Sequence, residues 1–496
     1  MMRFLLLRAS VSCSKWKGSC RLDEQILFVS AGMLAPKKRD HLLARQQLYL
    51  NYGALTLTTL LKRNGYVPVL IHGSHSKPEQ FVDSLREQRR LPTSHPVMLS
   101  IPSFFALEWA QKFCRYLKKL FPDTKIVAGG RWVVGPDPNW LKQKIPEIDL
   151  TSTGLAEKLI CDVIDPALWS SLDYRDGAAV DLSGQGELPP YPLDHALVDN
   201  FRLFQPSIDI SRGCGMGCVF CEERAIPLSK LRSPAMVAQH LSEVINQYGS
   251  KDIRPYFQAS LFLPNPRWAR QLSHEIQEHN CAVSWRCETR VDCMTSETIE
   301  LLARSGLKVV DLGMETASPQ QMLLMKKTKD PDKYLQRASV AIRDFAANGI
   351  LVKINILLYA GETKATVAET TSWLRENKAY IKGVSVGPVL AFGSPKPASP
   401  LIAELESLGA RAVDPESAAT TGITELHLSN EIDAKSAEEI SLSLSRMMMD
   451  QRDYYDLKSF SYYPRDYTYE NFIRDAQKSN PASLPFKSTM HEIRHS

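Results

Sequence analysis

The chain has 496 residues, of which 44% are hydrophobic and 23% are charged, and its formal net charge is +5. These proportions are typical of globular proteins and exclude a disordered, collagen-like or coiled-coil chain. The excess of 60 basic over 55 acidic residues is too slight to indicate a nucleic-acid or membrane-surface partner, and ten cysteines are too sparse for a disulfide framework. At ~150 residues per domain, the length predicts about three domains.

The N-terminal sequence has an apolar run of four residues, Phe4 to Leu7, which Arg8 interrupts. A signal peptide needs about seven or more apolar residues in succession, and a membrane-spanning helix needs about twenty. We therefore expect a cytoplasmic protein with reduced thiols.

Residues 1–165 alternate between strand and helix patterns, which predicts a parallel, doubly wound Rossmann-like sheet. Helices are predicted over 42–62 and 105–120, with a polar loop over 10–39. The predicted strands are 3–8, 66–71, 96–100, 125–128 and 148–151. Ligands of such sheets bind at the carboxyl ends of the strands. The residues predicted at those ends are Ser100, Gly129, Gly130, Thr153 and Gly154.

Residues 166–205 are rich in Gly, Pro and polar residues, and we interpret them as a linker. From residue 206 a second alternation begins, with a helix that starts at Ser233-Pro234. Its six predicted strands are 207–211, 255–263, 282–290, 309–315, 350–359 and 383–390. Six such units predict a partial (β/α)6 barrel over 206–400. Residues 401–496 are expected to form a small, mostly helical domain that carries a tyrosine cluster and caps the barrel.

The strongest chemical signal is Cys214, Cys218 and Cys221 in a loop directly after the first barrel strand. Three thiolates at this spacing can ligate a 4Fe–4S cluster and leave one iron open to another ligand. Glycines at 213, 215 and 217 allow the backbone to wrap closely. The same thiolates could instead hold zinc with a distant fourth ligand, or remain unligated.

This loop, with Phe220 before its last cysteine, resembles the cluster motif of radical S-adenosylmethionine (SAM) enzymes. The resemblance continues through three further segments, 285–292, 312–318 and 360–363. It implies that SAM binds the open iron, that Arg290 and Glu315 contact its polar groups, and that Phe220 lies beside its adenine. A salt bridge at the barrel mouth is the alternative role for Arg290 and Glu315. Related sequences often carry an Asp-Asp pair where this chain has Ala259-Ser260, so the resemblance assigns no contact to those two positions.

The N-terminal domain is similar to the cobalamin-binding domain of class B radical SAM proteins. The landmarks are Asn64-Gly65-Tyr66 and the strand-end residues named above. The cobalt-ligating pattern Asp-x-His-x-x-Gly is absent, and His72 and His75 are interpreted as polar loop residues. The alternative is a sheet that binds no cofactor and only docks on the barrel.

The remaining cysteines do not form a second motif. Cys281, Cys287 and Cys293 recur every six residues, but only the first two share a strand face, so we interpret all three as isolated thiols. Cys13 and Cys20 could line the cofactor cleft or be exposed.

The resemblance implies a cobalamin-dependent radical SAM methyltransferase that passes a methyl group from SAM through methylcobalamin to carbon. It implies a secondary-metabolite, peptide or amino-acid substrate and an electron donor such as flavodoxin or ferredoxin. A variant of this family methylates an aromatic ring carbon without forming the adenosyl radical. The alternatives are a class B rearrangement or cyclisation without methyl transfer, and a non-catalytic cobalamin- or cluster-dependent sensor. No catalytic acid or base is predicted. Direct methyl transfer requires the carboxyl ends of both sheets to face one cavity.

Overall fold

The computed structural model describes residues 24–130, 133, 137–175, 178–180, 188–221, 223–224, 226–392, 400–416 and 421–487. A first sheet of seven strands has the order β2-β1-β3-β4-β5-β7-β6. Its strands are β1 (Ile26–Ser30), β2 (Pro68–His72), β3 (Val97–Ser100), β4 (Ile126–Gly129), β5 (Leu150–Thr153), β6 (Tyr174–Arg175) and β7 (Ala178–Val180). All neighbours pair in parallel except β6 with β7. The predicted Rossmann-like sheet is therefore confirmed.

Helices cover both faces of this sheet. They are α1 (Leu42–Arg45), α2 (Tyr52–Arg63), α3 (Pro78–Glu87), α4 (Leu107–Leu120), α5 (Pro138–Lys144) and α6 (Ile160–Val163). Along β1, Leu27 and Val29 belong to one hydrophobic cluster, whereas Ile26 and Phe28 belong to another on the opposite face. A strand that is apolar on both faces is typical of a parallel sheet buried between helices.

Several predictions for this part of the chain are wrong. β1 lies inside the predicted 10–39 loop, and the predicted helix over 42–62 is interrupted between Arg45 and Tyr52. The predicted linker also contributes β6 and β7 to the first sheet. The predicted strand over 3–8 lies outside the described residues.

The second sheet is parallel, and its six strands follow chain order from β8 to β13. They are β8 (Ser207–Asp209), β9 (Tyr256–Gln258), β10 (Trp285–Arg290), β11 (Leu307–Glu315), β12 (Leu351–Leu358) and β13 (Gly383–Pro388). Its helices are α7 (Pro234–Tyr248), α8 (Pro266–Glu278), α9 (Ser296–Arg304), α10 (Pro319–Leu324), α11 (Pro331–Ala347) and α12 (Lys364–Glu376). Ser233 caps α7, and its side chain accepts a hydrogen bond from the Met236 N–H, as predicted. The partial (β/α)6 barrel is confirmed.

Alternate residues of the barrel strands face its helices and its interior. On β11, Val310, Leu312 and Met314 belong to the core between strands and helices. Asp311 and Glu315 therefore point to the interior of the barrel, because successive side chains of a strand point to opposite faces.

The C-terminal region packs against the last barrel strand. Its main helices are α13 (Pro400–Ser407), α14 (Ala434–Met448), α15 (Gln451–Ser461) and α16 (Tyr469–Lys478). α14 contributes Ala437, Leu444 and Met448 to the barrel core. Tyrosines of α15 and the segment after it pack with Leu43 and Val309 in a separate cluster, which covers the amino-terminal end of β11. Short two-stranded sheets, β14 (Ala391–Phe392) with β16 (Ile423–Thr424) and β15 (Arg411–Ala412) with β17 (Leu426–His427), complete this region. Within the described ranges, no helix has the length and apolar character required to cross a membrane.

Candidate cofactor sites at facing sheet edges

The cysteine loop follows β8 and is held by its own backbone. The Cys214 N–H donates to the Ile226 carbonyl at 2.9 Å, and the Arg212 N–H donates to Ser229 Oγ at 2.8 Å. Gly213 has a φ of +73°, and a Cβ there would lie 2.1 Å from the Pro227 carbonyl oxygen. Only glycine combines that backbone angle with so close an approach.

The three cysteines of this loop lie near one another. Cys218 is buried, and Cys214 and Cys221 are partly buried. Burial raises the pKa of the Cys221 thiol, and the neighbouring Cys214 and Cys218 act in the same direction. Three thiols on one wrapped loop suit a 4Fe–4S cluster.

Arg290, at the end of β10, lies against the cysteine loop. Its Nη1 is 3.5 Å from Cys218 Sγ, and its Nη2 donates to the Lys327 carbonyl at 2.9 Å. Asp292 accepts from Arg290 Nε at 3.0 Å. Arg290 therefore forms a salt bridge at the barrel mouth, which is its alternative role, and also lies beside a predicted cluster ligand. Its contact with SAM remains a prediction.

Glu315, the last residue of β11, has a buried partner that the sequence analysis missed. Lys327 Nζ lies 3.3 Å from Glu315 Oε1, with only 3% of the lysine side chain exposed. The same Nζ lies 5.8 Å from the centre of the Phe220 ring. Lys327 thus connects two of the predicted SAM-binding residues. Its sequence context, a second lysine after Lys326, carries no pattern that would have distinguished it.

The backbone of Glu315 is strained. Its φ is +68°, and the pairing of β11 with β12 is irregular between Gly313 and Glu315. A non-glycine residue in this region costs about 1 kcal/mol or more, and such strain concentrates at functional sites. The bulge turns the end of β11, where Glu315 meets Lys327.

The carboxyl edge of the first sheet carries a row of small and polar residues. In strand register the row is His72, Ser30, Ser100, Gly129 and Ser152. The Oγ of Ser152 is buried without a hydrogen-bond partner among the described residues. A cofactor that brings polar groups to this edge would satisfy that oxygen, so the row fits the polar surface of a cobalamin.

Asn51, directly before α2, forms hydrogen bonds with three residues of this row. Its Nδ2 donates to Ser30 Oγ at 3.0 Å and to Ser100 Oγ at 2.9 Å. Its own N–H donates to His72 Nε2 at 3.0 Å. These contacts position Ser100, one of the predicted binding residues, through a residue that sequence reasoning did not identify.

The other predicted residues of this edge lie at the end of β5 or in the loops after β4 and β5. Gly130 has a φ of +144°, and a Cβ there would lie 2.2 Å from the Ile101 carbonyl oxygen. Thr153 ends β5, and Gly154 follows with a φ of +78°. Their contact with cobalamin remains a prediction.

The prediction that both histidines are loop residues is wrong for His72 and is confirmed for His75, which lies in the turn after β2. His72 belongs to β2, and burial lowers its pKa to about 4, so it is neutral at pH 7. His75 Nδ1 lies 3.1 Å from the Met33 carbonyl oxygen.

Cys281 and Cys287 are buried and Cys293 is partly buried, all as free thiols, in agreement with the prediction. Cys13 and Cys20 lie outside the described residues.

Three contacts bring the carboxyl edges of the two sheets together. Arg212, in the cysteine loop, pairs with Glu157, after β5, at 2.6 Å. The rings of Phe104, after β3, and Phe392, after β13, stack with centroids 5.9 Å apart. Lys38, after β1, donates from Nζ to Ser385 Oγ of β13 at 3.1 Å. The predicted facing of the two edges is therefore present.

Comparisons with known proteins agree with this arrangement. Residues 208–374 match the Radical SAM superfamily. An uncharacterized methyltransferase from Pyrococcus horikoshii is 24% identical over 255 residues, which cover 47% of this chain and 54% of the relative. The chain thus matches about half the length of that curated relative.

Two solved enzymes share the fold over most of the chain. TsrM from Kitasatospora setae, a radical SAM methyltransferase solved with cobalamin and a [4Fe-4S] cluster, aligns with a TM-score of 0.60 at 16% identity, over 88% of this chain and 89% of that one. The cobalamin-dependent SAM radical enzyme OxsB aligns with a TM-score of 0.54 at 17% identity, over 70% of this chain and 52% of that one. Residues 208–374 are therefore similar to the Radical SAM superfamily, and the chain has the fold of TsrM and OxsB.

Proposed function

We propose that this protein is a C-methyltransferase that moves a methyl group from SAM to a carbon atom of a small molecule, amino acid or peptide precursor. The observation that carries this proposal is the facing of the two sheet edges, joined by the Arg212–Glu157 ion pair at 2.6 Å. Methyl transfer needs both cofactors close to one substrate, because reacting groups must be held within bonding reach.

The chain's own residues divide between the two edges. Cys214, Cys218 and Cys221 would hold the 4Fe–4S cluster, and Arg290 would keep a positive charge beside its sulfur ligands. Phe220, Glu315 and Lys327 would bind SAM, whose ammonium and carboxylate groups suit the opposite charges of the Glu315–Lys327 pair. Ser100, Gly129, Gly130, Thr153 and Gly154 would bind cobalamin. When bound, the cluster supplies an electron for SAM cleavage and cobalamin carries the methyl group.

The protein must also exclude water from the reacting groups. The C-terminal helices pack on β13, and Phe104 stacks on Phe392 where the two domains meet. We expect these contacts to help close the side of the partial barrel that its six strands leave open. An external one-electron donor such as flavodoxin or ferredoxin would supply reducing equivalents.

The experiment is anaerobic reconstitution of the full chain with iron, sulfide and cobalamin, followed by reaction with SAM that carries a deuterated methyl group. We expect the label to reach a product that is heavier than its substrate by one methyl-for-hydrogen exchange. A product of unchanged mass would instead indicate a class B rearrangement. Failure to consume SAM with both cofactors bound would favour a sensor.

A further inference from the structure

Charged side chains form a layer inside the barrel, beneath the residues that surround the cysteine loop. Glu288, Asp311 and Lys353 are in register on β10, β11 and β12. Arg290 and Ser385 belong to the next row toward the carboxyl end, two residues further along their strands. Since a strand rises about 3.3 Å per residue, the charged layer lies roughly 7 Å below Arg290.

The acid Asp311 is already neutralised within this layer. Its carboxylate forms an ion pair with Lys353 and a second with Arg286 Nη1 at 3.4 Å. Arg286 also lies 3.9 Å from the centre of the Tyr256 ring, and the Tyr256 hydroxyl donates to Glu288 Oε2 at 3.3 Å. Burial raises the pKa of Glu288, and the neighbouring Asp311 acts in the same direction.

Two further lysines reach the same region from outside the barrel strands. Lys38, after β1, donates to Ser385 Oγ and to the Val386 carbonyl at 2.6 Å. Lys458, on α15, donates to Gln47 Oε1 at 3.1 Å. Among the residues that the structure describes, neither ammonium forms an ion pair with a carboxylate.

Other parts of the protein pack around both lysines. Burial is the main cause that lowers the pKa of Lys38 to about 8 and that of Lys458 to about 7, and the charge of Lys353 acts in the same direction. A large part of the side-chain surface is nevertheless exposed to solvent at Lys38, Glu288 and Tyr49. Other residues surround each of these three side chains on nearly all sides. They therefore face solvent-accessible space within the fold, where the Tyr49 and Tyr462 rings lie 5.1 Å apart.

The balance of charge in this region favours an anion. Among the described residues of this layer, the acids Asp311 and Glu288 stand against four bases, Lys38, Arg286, Lys353 and Lys458. A cation removed from water without an opposite charge is costly, and an anion that binds beside it offsets that cost. The aromatic rings can contact the apolar body of the same ligand.

We propose that Lys38 and Lys458 bind the anionic group, a carboxylate or a phosphate, of the molecule on which this enzyme acts. This inference rests on the proposed function and narrows its substrate to an anionic small molecule. The charged group would bind in the layer of Asp311 and Lys353, and the reacting carbon would extend toward the layer of Arg290. The substrate would then span the distance between an anchor and the cofactor sites.

The test measures binding of three probes to the reconstituted full chain by calorimetry: phenylacetate, phenyl phosphate and the neutral phenylacetamide. We expect one of the two anions to bind at least tenfold more tightly than the amide, and the preferred anion to identify the charged group. Lys38→Met and Lys458→Met should each weaken that anion at least tenfold. Lys333→Met, on the exposed face of α11, is the matched control and should leave binding unchanged.

Three outcomes would overturn the inference. They are equal binding of the anions and the amide, no binding of any probe, and unaltered anion binding in both lysine variants. Circular dichroism and cobalamin content of each variant show whether it is folded. Transfer of the SAM methyl group is scored separately. Loss of anion selectivity with methyl transfer intact would refute only the anion site, whereas anion binding without methyl transfer would refute only the proposed function.

Discussion

The Glu315–Lys327 pair is the residue-scale feature on which SAM binding is expected to depend. Lys327→Met would leave the carboxylate of Glu315 largely buried without its cation. A charge-assisted hydrogen bond contributes about 1.5–3 kcal/mol, so we expect SAM affinity to fall about tenfold or more. Calorimetric titration with SAM checks this, and Lys326→Met, an exposed neighbour, is the control. Wild-type affinity in Lys327→Met would refute the role of the pair.

The buried histidine His195 is expected to make the stability of the protein depend on pH. It is 1% exposed, its Nδ1 lies 3.2 Å from Gln247 Oε1, and its Nε2 accepts the Ser207 N–H at 3.1 Å. Burial lowers its pKa to about 4 from 6.5, so the folded protein keeps the ring neutral. His195 binds a proton more readily in the unfolded chain than in the folded protein. The contribution of neutral His195 to the free energy of unfolding is therefore complete above pH 6.5 and is lost as the pH falls toward 4. By linkage this loss is about 2 kcal/mol at pH 5.

Denaturant unfolding at pH 7 and pH 5 measures this effect. His195→Gln should be less stable at pH 7 and should lose less of its stability between the two pH values than the parent protein. His274→Gln, at an exposed position of α8, should follow the parent protein. An identical pH dependence in His195→Gln would show that other groups control the acid response.

At the scale of the element, the cysteine loop depends on the shape of its backbone as well as on its thiols. Gly213 and Gly217 both have positive φ values, +73° and +75°. A Cβ at Gly213 would collide with Pro227, whereas a Cβ at Gly217 would meet nothing within 4 Å. We expect Gly213→Ala to lose most of the bound iron and sulfide and Gly217→Ala to retain most of it. Iron and sulfide analysis distinguishes the two, and equal retention would contradict the steric argument.

At the scale of the whole molecule, the Arg212–Glu157 pair joins the cysteine loop to the first sheet. If this contact holds the carboxyl edges of the two sheets together, Glu157→Gln should slow methyl transfer. The affinity for SAM and the cobalamin content should remain unchanged. The Lys125–Asp149 pair, at the opposite edge of the first sheet, provides the control variant Lys125→Met. Unchanged turnover in Glu157→Gln would show that the remaining interdomain contacts suffice.

Apolar periodicity and the glycine-framed cysteines were sufficient to predict two parallel sheets, the six-strand barrel and the cluster loop. Those features are local, because strand patterns, helix caps and ligand spacing lie within short stretches of the chain. β1 was missed although Ile26 to Val29 is a continuous apolar run, because its basic surroundings indicated a loop. β6 and β7 were missed because two or three residues carry too little pattern.

The sequence by itself determined the fold class, the three cysteines that are expected to ligate a cluster and the carboxyl strand ends at which cofactors are expected to bind. Only the tertiary structure decided which distant residues lie together: Lys327 with Glu315, Asn51 with Ser100, and Lys38 in the same region as Lys458. The physical reason is that these partners come from separate elements, and their side chains meet only when the strands are in register and the domains are packed. Burial and nearby charges then change the pKa of each group and its ability to bind a ligand. Neither burial nor nearby charge can be read from a residue's neighbours in the chain.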